Sequence, residues 1–122
     1  MIVGIGTDIV YIPRIFTLWQ KFGNKFINKV FSHQEIQDSY NYSNNIAKIN
    51  HFAKRFAAKE AYIKAIGTGF NKQIKMRNIT VYNNNYGKPY IKAPCSCNYV
   101  IELSISDDND YAIAFVILYA NQ

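Results

Sequence analysis

Glu60 and Lys64 are charged residues on a helix face that should otherwise be buried. The stretch from about Ile46 to Ile66 has helical periodicity, and at about 100° per residue its apolar side chains fall on one arc. Glu60 lies in the middle of that arc and Lys64 near its edge. A carboxylate on a buried face is costly unless it is paired or coordinates a metal. Two interpretations stay open: a Glu60–Lys64 ion pair at i,i+4, or a metal site with a second oxygen ligand. The arc consists of Ile46, Ile49, Phe52, Ala53, Phe56 and Ile63.

Asp8 is a separate candidate for metal binding. It follows the apolar run Ile2–Thr7, which we predict to be a short buried strand. A carboxylate at a strand end is held rigidly yet faces solvent, which suits a hard cation such as Mg²⁺. The alternative is that Asp8 only caps the next segment. Gly4 and Gly6 do not predict a dinucleotide site, because the third glycine of that motif is missing.

The remaining polar residues of the predicted helix lie off the apolar arc. We expect Lys54, Arg55 and Lys59 to be solvated or to reach an anion lying across the helix, and His51 to lie on the polar side. The helix should end at Gly67-Thr68-Gly69, where an open turn with free backbone N–H groups could approach a phosphate closely.

Helices crowd the first half of the chain and strands the second. Pro13–Phe22 and Lys25–Phe31 are predicted helices, and Ser32 with Glu35 forms the capping box of a third. This order predicts an α+β fold, in which an N-terminal strand and helices precede a long central helix packed on a mainly antiparallel sheet. We expect one domain over residues 1–122. The predicted strands are Lys75–Tyr82, Lys88–Lys92 with Pro89 at a strand start or sheet edge, Val100–Ser106 and Tyr111–Leu118, the last two joined by a turn at Asp107–Asp110.

Composition limits where this protein can work. No apolar run approaches the roughly 20 residues that span a bilayer, and the N-terminus lacks the features of a signal peptide. Cys95 and Cys97 are too close together for an ordinary disulfide, and with two scattered histidines they do not match a zinc site. We therefore expect a reduced, cytoplasmic protein without a membrane segment.

A basic stripe runs through the first helices. The net charge is +6, and no acid occurs between Ile9 and Gln34, where Arg14, Lys21, Lys25 and Lys29 recur at helix-compatible spacing. Such a face predicts an acidic partner, which could be nucleic acid, an anionic membrane or an acidic protein. The plain alternative is a basic surface that serves solubility alone.

Three separated motifs resemble the holo-acyl-carrier-protein synthase class of 4′-phosphopantetheinyl transferases. They are Gly4-Ile5-Gly6-Thr7-Asp8-Ile9-Val10, then Arg55-Phe56-Ala57-Ala58-Lys59-Glu60-Ala61 with Lys64-Ala65 and Gly67-Thr68-Gly69, and finally Gly87-Lys88-Pro89 with the closing strand pair. The match follows the chain in order over nearly its whole length, and the second motif is specific.

The resemblance implies a Mg²⁺-dependent reaction. The phosphopantetheine arm of coenzyme A would pass to a serine of an acyl carrier protein, releasing adenosine 3′,5′-bisphosphate, as a step in fatty acid biosynthesis. Asp8 and Glu60 would bind the metal, which settles the open question about Glu60 in favour of a ligand. Lys64 would bind phosphate and assist catalysis.

The resemblance also implies the other contacts. Arg55 and Lys88, the latter followed by Pro89, would bind the remaining phosphates of coenzyme A, and the Gly67-Thr68-Gly69 turn would supply backbone donors. Arg14 matches the family's position that grips the acidic carrier, and Lys21 and Lys25 are expected to help by their charge. The family is typically a homotrimer with active sites at subunit boundaries. For this chain we expect neither nucleic acid nor membrane as a partner.

One position departs from the family pattern. Many members carry histidine directly after the second serine of the closing strand, whereas this chain has Asp107 after Ser106. A carboxylate would add negative charge near phosphates, so no catalytic role is transferred to Asp107.

Three other hypotheses remain for comparison. A nucleic-acid-binding module would explain the charge and the aromatic content, but not an acid on a buried helix face. Another Mg²⁺-dependent phosphoryl enzyme would consume its substrate without a carrier, and an inactive family member would keep the fold and lose the transfer.

Overall fold

The protein, described here by a computed structural model, contains four helices, a 3₁₀ turn and five strands within residues 1–67, 74–94 and 99–121, the parts of the chain that the structure describes. The helices all precede the second to fifth strands, which confirms the predicted α+β class. In chain order the elements are β1 (Ile2–Tyr11), α1 (Ile12–Phe22), α2 (Asn24–Val30), α3 (His33–Ser39), α4 (Asn45–Ile66), the 3₁₀ turn (Met76–Asn78), β2 (Thr80–Asn83), β3 (Pro89–Lys92), β4 (Tyr99–Asp108) and β5 (Tyr111–Ala120).

Local sequence signals fix several of these boundaries. Ser32 and Glu35 form the predicted capping box at the start of α3, each satisfying a backbone N–H of the other residue. Asn44 caps α4 by accepting a hydrogen bond from the Ala47 N–H at 2.8 Å. Gly67 ends α4 in the left-handed conformation, with φ of 80°, which a residue with a side chain would adopt only at a cost.

The strands form two antiparallel sheets. β1, β5 and β4 make a three-stranded sheet in that order, and β2 pairs with β3 in a separate hairpin. Helix α4 crosses one face of the three-stranded sheet, where the small side chains of Ala112 and Ala114 on β5 and of Ala57, Ala58 and Ala61 on the helix are buried. This close helix–sheet layer forms the centre of the hydrophobic core.

Strand β1 differs from the prediction. It continues past Asp8 to Tyr11, so that Asp8 lies within the strand, opposite Ala114 of β5. Its isoleucines are not buried, since Ile5 and Ile9 are 61% and 62% exposed on the face that points away from α4. The run of apolar residues predicted a strand buried on both faces. In the structure α4 packs against only one face.

The strand predictions in the second half were also inexact at their ends. The segment Lys75–Tyr82 is not one strand, because the 3₁₀ turn at Met76–Asn78 precedes β2. Strand β4 runs through Asp108, and the turn is shortened to Asn109 and Asp110, with Asn109 at φ of 53°. Asparagine tolerates this left-handed conformation better than most residues do.

Helix α4 is covered on more sides than the apolar arc indicated. Ile46 is 75% exposed, whereas His51, Arg55 and Lys59, which we expected off the arc, are all buried. The reason is that α3 and β2 pack against the helix as well as the sheet. A helical wheel that assumes a single buried face therefore wrongly predicts these three residues to be exposed to solvent.

A buried ion pair between Lys59 and Glu35 joins these elements. Neither side chain is exposed, and Lys59 Nζ also donates to the backbone oxygens of Val30 at 2.8 Å and Met76 at 2.9 Å. Glu35 accepts hydrogen bonds from the backbone N–H groups of Ser32 and Val81, each at 2.8 Å. Burial lowers the pKa of Lys59 to about 8 and raises the pKa of Glu35, and the attraction between the two charges opposes both changes.

His51 is held in the same interior region. Its Nε2 lies 2.8 Å from the backbone oxygen of Glu35, and its ring packs against Tyr42 and Phe52. Burial, followed by the positive charge of Arg55, lowers the pKa of His51 from 6.5 to about 4. The imidazole is therefore neutral in the folded protein at neutral pH.

This arrangement predicts a loss of stability in mild acid. Because the folded-state pKa of His51 lies below the unfolded-state value, its contribution is complete above pH 6.5 and is lost as the pH falls towards 4. The free energy of unfolding should fall by about 3 kcal/mol over that interval from this group alone. Urea unfolding at a series of pH values measures it. His51→Phe should flatten the dependence, whereas the same substitution at exposed His33 should leave it intact. An unchanged profile in His51→Phe would contradict this assignment.

Candidate active site

The candidate site lies where α4 approaches β1 most closely. A Cβ atom on Gly6 would lie 1.9 Å from the backbone oxygen of Ala61, and one on Gly4 would lie 2.1 Å from that of Ala65. Real Cβ atoms do not come this close to backbone atoms. The two glycines therefore allow the helix to rest directly on the strand, and this is a different use from the dinucleotide motif that the sequence analysis rejected.

Asp8 and Lys64 meet across this junction. Lys64 Nζ lies 3.1 Å from Asp8 Oδ1 and donates to the backbone oxygen of Thr7 at 3.0 Å. The Asp8 side chain is 16% exposed and that of Lys64 is 55% exposed, so the pair lies at the rim of the junction and is open to solvent. Asp8 and Lys64 are 56 residues apart in the chain, and the structure brings them into contact, whereas the ion pair considered from the sequence was Glu60–Lys64.

Glu60 lies close enough to Asp8 for the two carboxylates to interact. Burial raises the pKa of Glu60, the negative charge of Asp8 raises it further, and Lys64 opposes the change. Two neighbouring carboxylates are a suitable partial ligand set for Mg²⁺, although no cluster of three or more acids, histidines or cysteines occurs among the described residues. This ion takes oxygen ligands and usually keeps several positions for water or phosphate.

Comparisons with known proteins identify the family. Residues 4–116 match the family model described as the 4′-phosphopantetheinyl transferase superfamily. The chain belongs to this superfamily. The match confirms the predicted family and the prediction of a transferase enzyme.

Individual relatives agree with the family model. A holo-acyl-carrier-protein synthase of Ehrlichia ruminantium (strain Welgevonden) is 66% identical over 120 residues, which are 98% of either chain. The protein of the same name from Wolbachia pipientis subsp. Culex pipiens (strain wPip) is 54% identical over 121 residues, covering 97% of this chain and 98% of that one.

Solved structures of the same class share the fold. The crystal structure of the holo-acyl-carrier-protein synthase of Neisseria meningitidis superposes with a TM-score of 0.87 at 36% identity, covering 98% of this chain and 99% of that one. The enzyme from Bacillus anthracis str. Ames, in complex with CoA (3′,5′-ADP), gives 0.86 at 36% identity, covering 99% of each chain.

The residues predicted to bind coenzyme A differ in their exposure, and two of them lie outside the described residues. Lys88 is exposed, 3.7 Å from Glu102 and over the ring of Tyr90, and Pro89 begins β3. Gly67 is exposed at the end of α4, while Thr68 and Gly69 lie outside the described residues. Their roles stay predictions.

Arg55 does not lie on an open surface. It is 5% exposed, its Nε has no hydrogen-bond partner among the residues that the structure describes, and burial lowers its pKa. This burial leaves little of the side chain accessible to a phosphate, and the role of Arg55 stays a prediction.

The predicted carrier-binding residues are all exposed and lie on two consecutive helices. Arg14 and Lys21 are exposed on α1, and Lys25 is exposed on α2. At the departure from the family pattern, Asp107 lies 3.8 Å from Lys54, and both side chains are partly exposed. The lysine balances the charge that the aspartate introduces at this position.

Sequence reasoning missed the buried network beside the site. Lys59 precedes Glu60 in the family motif, yet it points into the interior towards Glu35, whose capping role alone was recognised. A signal was present, since the capping box explains one carboxylate oxygen of Glu35 and leaves the other without a partner. Which residue would fill that position was not evident from sequence spacing.

Gly6→Ala tests whether close helix–strand contact positions the two carboxylates. The added Cβ would meet the Ala61 backbone oxygen, so that α4 must shift away from β1. We expect a loss of about 1–3 kcal/mol in the free energy of unfolding and, if the two carboxylates hold Mg²⁺, weaker binding of that ion. Thermal unfolding followed by circular dichroism and a Mg²⁺ titration measure these. Asn83→Ala, at an exposed position of β2, should be near neutral; equal effects in both variants would contradict the proposed role of the helix–strand contact.

Proposed function

We propose that this protein transfers the 4′-phosphopantetheine arm of coenzyme A to a serine of an apo-acyl carrier protein in a Mg²⁺-dependent reaction. The observation that carries the proposal is the junction of α4 and β1, where Asp8, Glu60 and Lys64 converge. The names of the related enzymes, and the coenzyme A complex of the Bacillus anthracis enzyme, support the two substrates.

Asp8 and Glu60 are the residues that would hold Mg²⁺. The ion, when bound, supplies charge neutralisation for the pyrophosphate of coenzyme A. Both carboxylates are fixed by backbone elements, Asp8 within β1 and Glu60 on α4, so little reorganisation is needed to bind a cation. The partly buried position of Glu60 strengthens its interaction with such a cation, because the local dielectric constant is lower than in water.

Lys64 would bind a phosphate oxygen beside the metal. Its side chain is more than half exposed, and it is held in place by the Thr7 backbone oxygen. An ammonium group there lowers the repulsion between the phosphates and the incoming serine oxygen. An ammonium group can only donate a proton, so any proton transfer by Lys64 would be to the departing phosphate.

The bonding changes define the products. The serine oxygen of the carrier forms a bond to the phosphorus of the phosphopantetheine, and the bond from that phosphorus to the oxygen of the departing phosphate breaks. Adenosine 3′,5′-bisphosphate leaves, and the serine proton is released. The nucleophile belongs to the carrier, so none is required from this chain.

The basic face would hold the carrier. Arg14, Lys21 and Lys25 are exposed and have no acidic partner among the described residues, which fits an acidic protein surface. We place the reaction in fatty acid biosynthesis and in the cytoplasm. No described helix is long and apolar enough to cross a bilayer.

We also propose that the protein assembles as a homotrimer with active sites between subunits. The face of the three-stranded sheet that α4 leaves open carries Ile5, Ile9, Ile113 and Phe115, all between 42% and 62% exposed. A contiguous apolar surface of this kind is typical of an interface. Asp8 lies on β1, an edge strand of the same sheet, so the candidate site adjoins the surface that would be covered.

Glu60→Gln tests the metal-ligand assignment. It removes one of the two carboxylates while keeping the shape of the side chain, so the protein should fold. We expect a loss of at least about 100-fold in the rate of carrier modification. Mass spectrometry of apo-carrier, incubated with coenzyme A with and without Mg²⁺, follows the added arm. Asp38→Asn, a carboxylate on α3, is the matched control and should remain active. Full activity in Glu60→Gln would rule out the assignment.

Ile9→Lys tests the proposed assembly. A charge on the outer face of β1 should prevent burial of that face, and the variant should sediment as a monomer under conditions in which the parent protein is a trimer. Analytical ultracentrifugation over a range of concentrations measures this. Tyr86→Lys changes an exposed aromatic residue outside the face and should leave the trimer intact. A parent protein that is monomeric at all concentrations would contradict the proposal.

A further inference from the structure

A second basic surface lies between α2 and the segment around the 3₁₀ turn. A groove of about 850 Å³ separates α2 from the segment around the 3₁₀ turn, and we name it the α2 groove. Its described lining consists of Asn24, Lys25, Asn28, Lys29, Val30, Ile74, Lys75, Met76 and Arg77. The two walls are about 45 residues apart in sequence, so no sequence pattern could reveal the groove.

The groove has a fixed floor. Lys59 Nζ donates to the backbone oxygen of Val30 in one wall and to that of Met76 in the other. Because Lys59 is itself held by Glu35 and is fully buried, the distance between the walls is set by the interior of the protein. A preformed groove loses less entropy on binding a partner than one that must be assembled.

The described lining of the α2 groove is positively charged. Lys25, Lys29, Lys75 and Arg77 are exposed at its rim, and its described lining contains no acid. None of these four cations forms an ion pair with a described residue. The side chains of Val30, Ile74 and Met76 are only partly buried and give the groove an apolar interior. The matching ligand is therefore anionic at its edges and apolar at its centre.

We infer that the α2 groove is a second contact site for the acyl carrier protein, holding an acidic segment of the carrier with its apolar side chains against Val30, Ile74 and Met76. This inference rests on the proposed function. The acidic carrier is the occupant that the observations favour, because Lys25 belongs both to the groove and to the basic face predicted to bind the carrier.

The surface between the two regions is continuous. A smaller depression of about 530 Å³ between α1 and α2 is lined by Leu18, Phe22, Lys25, Phe26, Lys29 and Val30, and so shares three residues with the α2 groove. A partner that covers α1 and α2 reaches the groove without leaving the protein surface. Nucleic acid would use the cations but not the apolar floor, since its phosphate backbone offers no apolar group to fill it.

Charge reversal at the far wall tests the inference. Lys75→Glu/Arg77→Glu alters only exposed side chains outside the site around Asp8 and outside the predicted carrier-binding face. We expect the KM for the carrier to rise by about tenfold or more at low ionic strength, with kcat and the KM for coenzyme A little changed. The salt dependence of kcat/KM for the carrier should also become shallower.

A matched variant controls for net charge. Lys48→Glu/Lys92→Glu reverses two lysines that no site includes. Each reversal lowers the net charge by two, so both double variants change from +6 to +2. The control should keep the parent's KM for the carrier. Filling the groove with Asn28→Trp should also raise that KM, without a change of charge.

The outcomes separate the two proposals. If the parent protein modifies no carrier, the proposed function is wrong, and with it the inference about the groove that rests on it. An active parent whose KM is unchanged in Lys75→Glu/Arg77→Glu, or is raised equally in the control, overturns the inference about the groove and leaves the proposed function intact. Tighter oligonucleotide binding by the parent than by the groove variant, with an unchanged carrier KM, would also overturn it.

Discussion

The structure depends on how closely α4 approaches β1. At most positions a strand and a helix are kept apart by the Cβ atoms of the strand, but Gly4 and Gly6 have none, and the backbone oxygens of Ala65 and Ala61 occupy that space. Residues next to this contact are therefore brought together by backbone geometry rather than by flexible side chains. Asp8 lies two residues after Gly6, and Glu60 immediately precedes Ala61, so the contact itself brings the two carboxylates together. Lys64, one turn later, reaches the strand at Thr7.

Lys59 and Glu60 are adjacent in the chain and serve different sides of the helix. Lys59 points to the interior, where all three of its donor hydrogens have acceptors, on Glu35, Val30 and Met76. Both carboxylate oxygens of Glu35 are also satisfied. A buried ion pair is weak evidence for stability, because desolvation offsets much of the attraction. The ion pair instead determines how the helices are positioned, because the ammonium group of Lys59 holds the end of α2 and the 3₁₀ turn against α4. The orientation of α4, and with it that of Glu60, is thus tied to elements far from β1.

Sequence reasoning succeeded where a signal is local or is repeated along one element. The capping box of α3, the span of α4, the glycine after it and the hairpin of β4 and β5 are all of this kind. It failed where burial depends on what else packs nearby. His51, Arg55 and Lys59 were placed off the apolar arc because a helical wheel describes a helix covered on one side, whereas α4 is covered by the sheet and by α3 and β2. The isoleucines of β1 were placed in the core for the converse reason, since nothing within this chain covers the outer face of the sheet among the described residues. The pairing of Asp8 with Glu60 was predicted only because the motifs resembled a known family.

The ion pair between Lys64 and Asp8 has consequences for how the site would exchange one cation for another. A solvent-exposed pair of this kind contributes at most about 1 kcal/mol, because water screens the attraction and ordering the lysine side chain has an entropic cost. Lys64 is more than half exposed, so little free energy is needed to separate it from Asp8. A divalent cation would carry twice the charge of an ammonium group and would also attract Glu60, whose pKa is raised by burial and then by the charge of Asp8. Under the proposed function, Mg²⁺ would take Asp8 and Glu60 together, and Lys64 would be released from the carboxylate to bind a phosphate oxygen. On that proposal the same lysine would compensate Asp8 before a cation binds and the substrate afterwards, with the Thr7 backbone oxygen as its fixed partner.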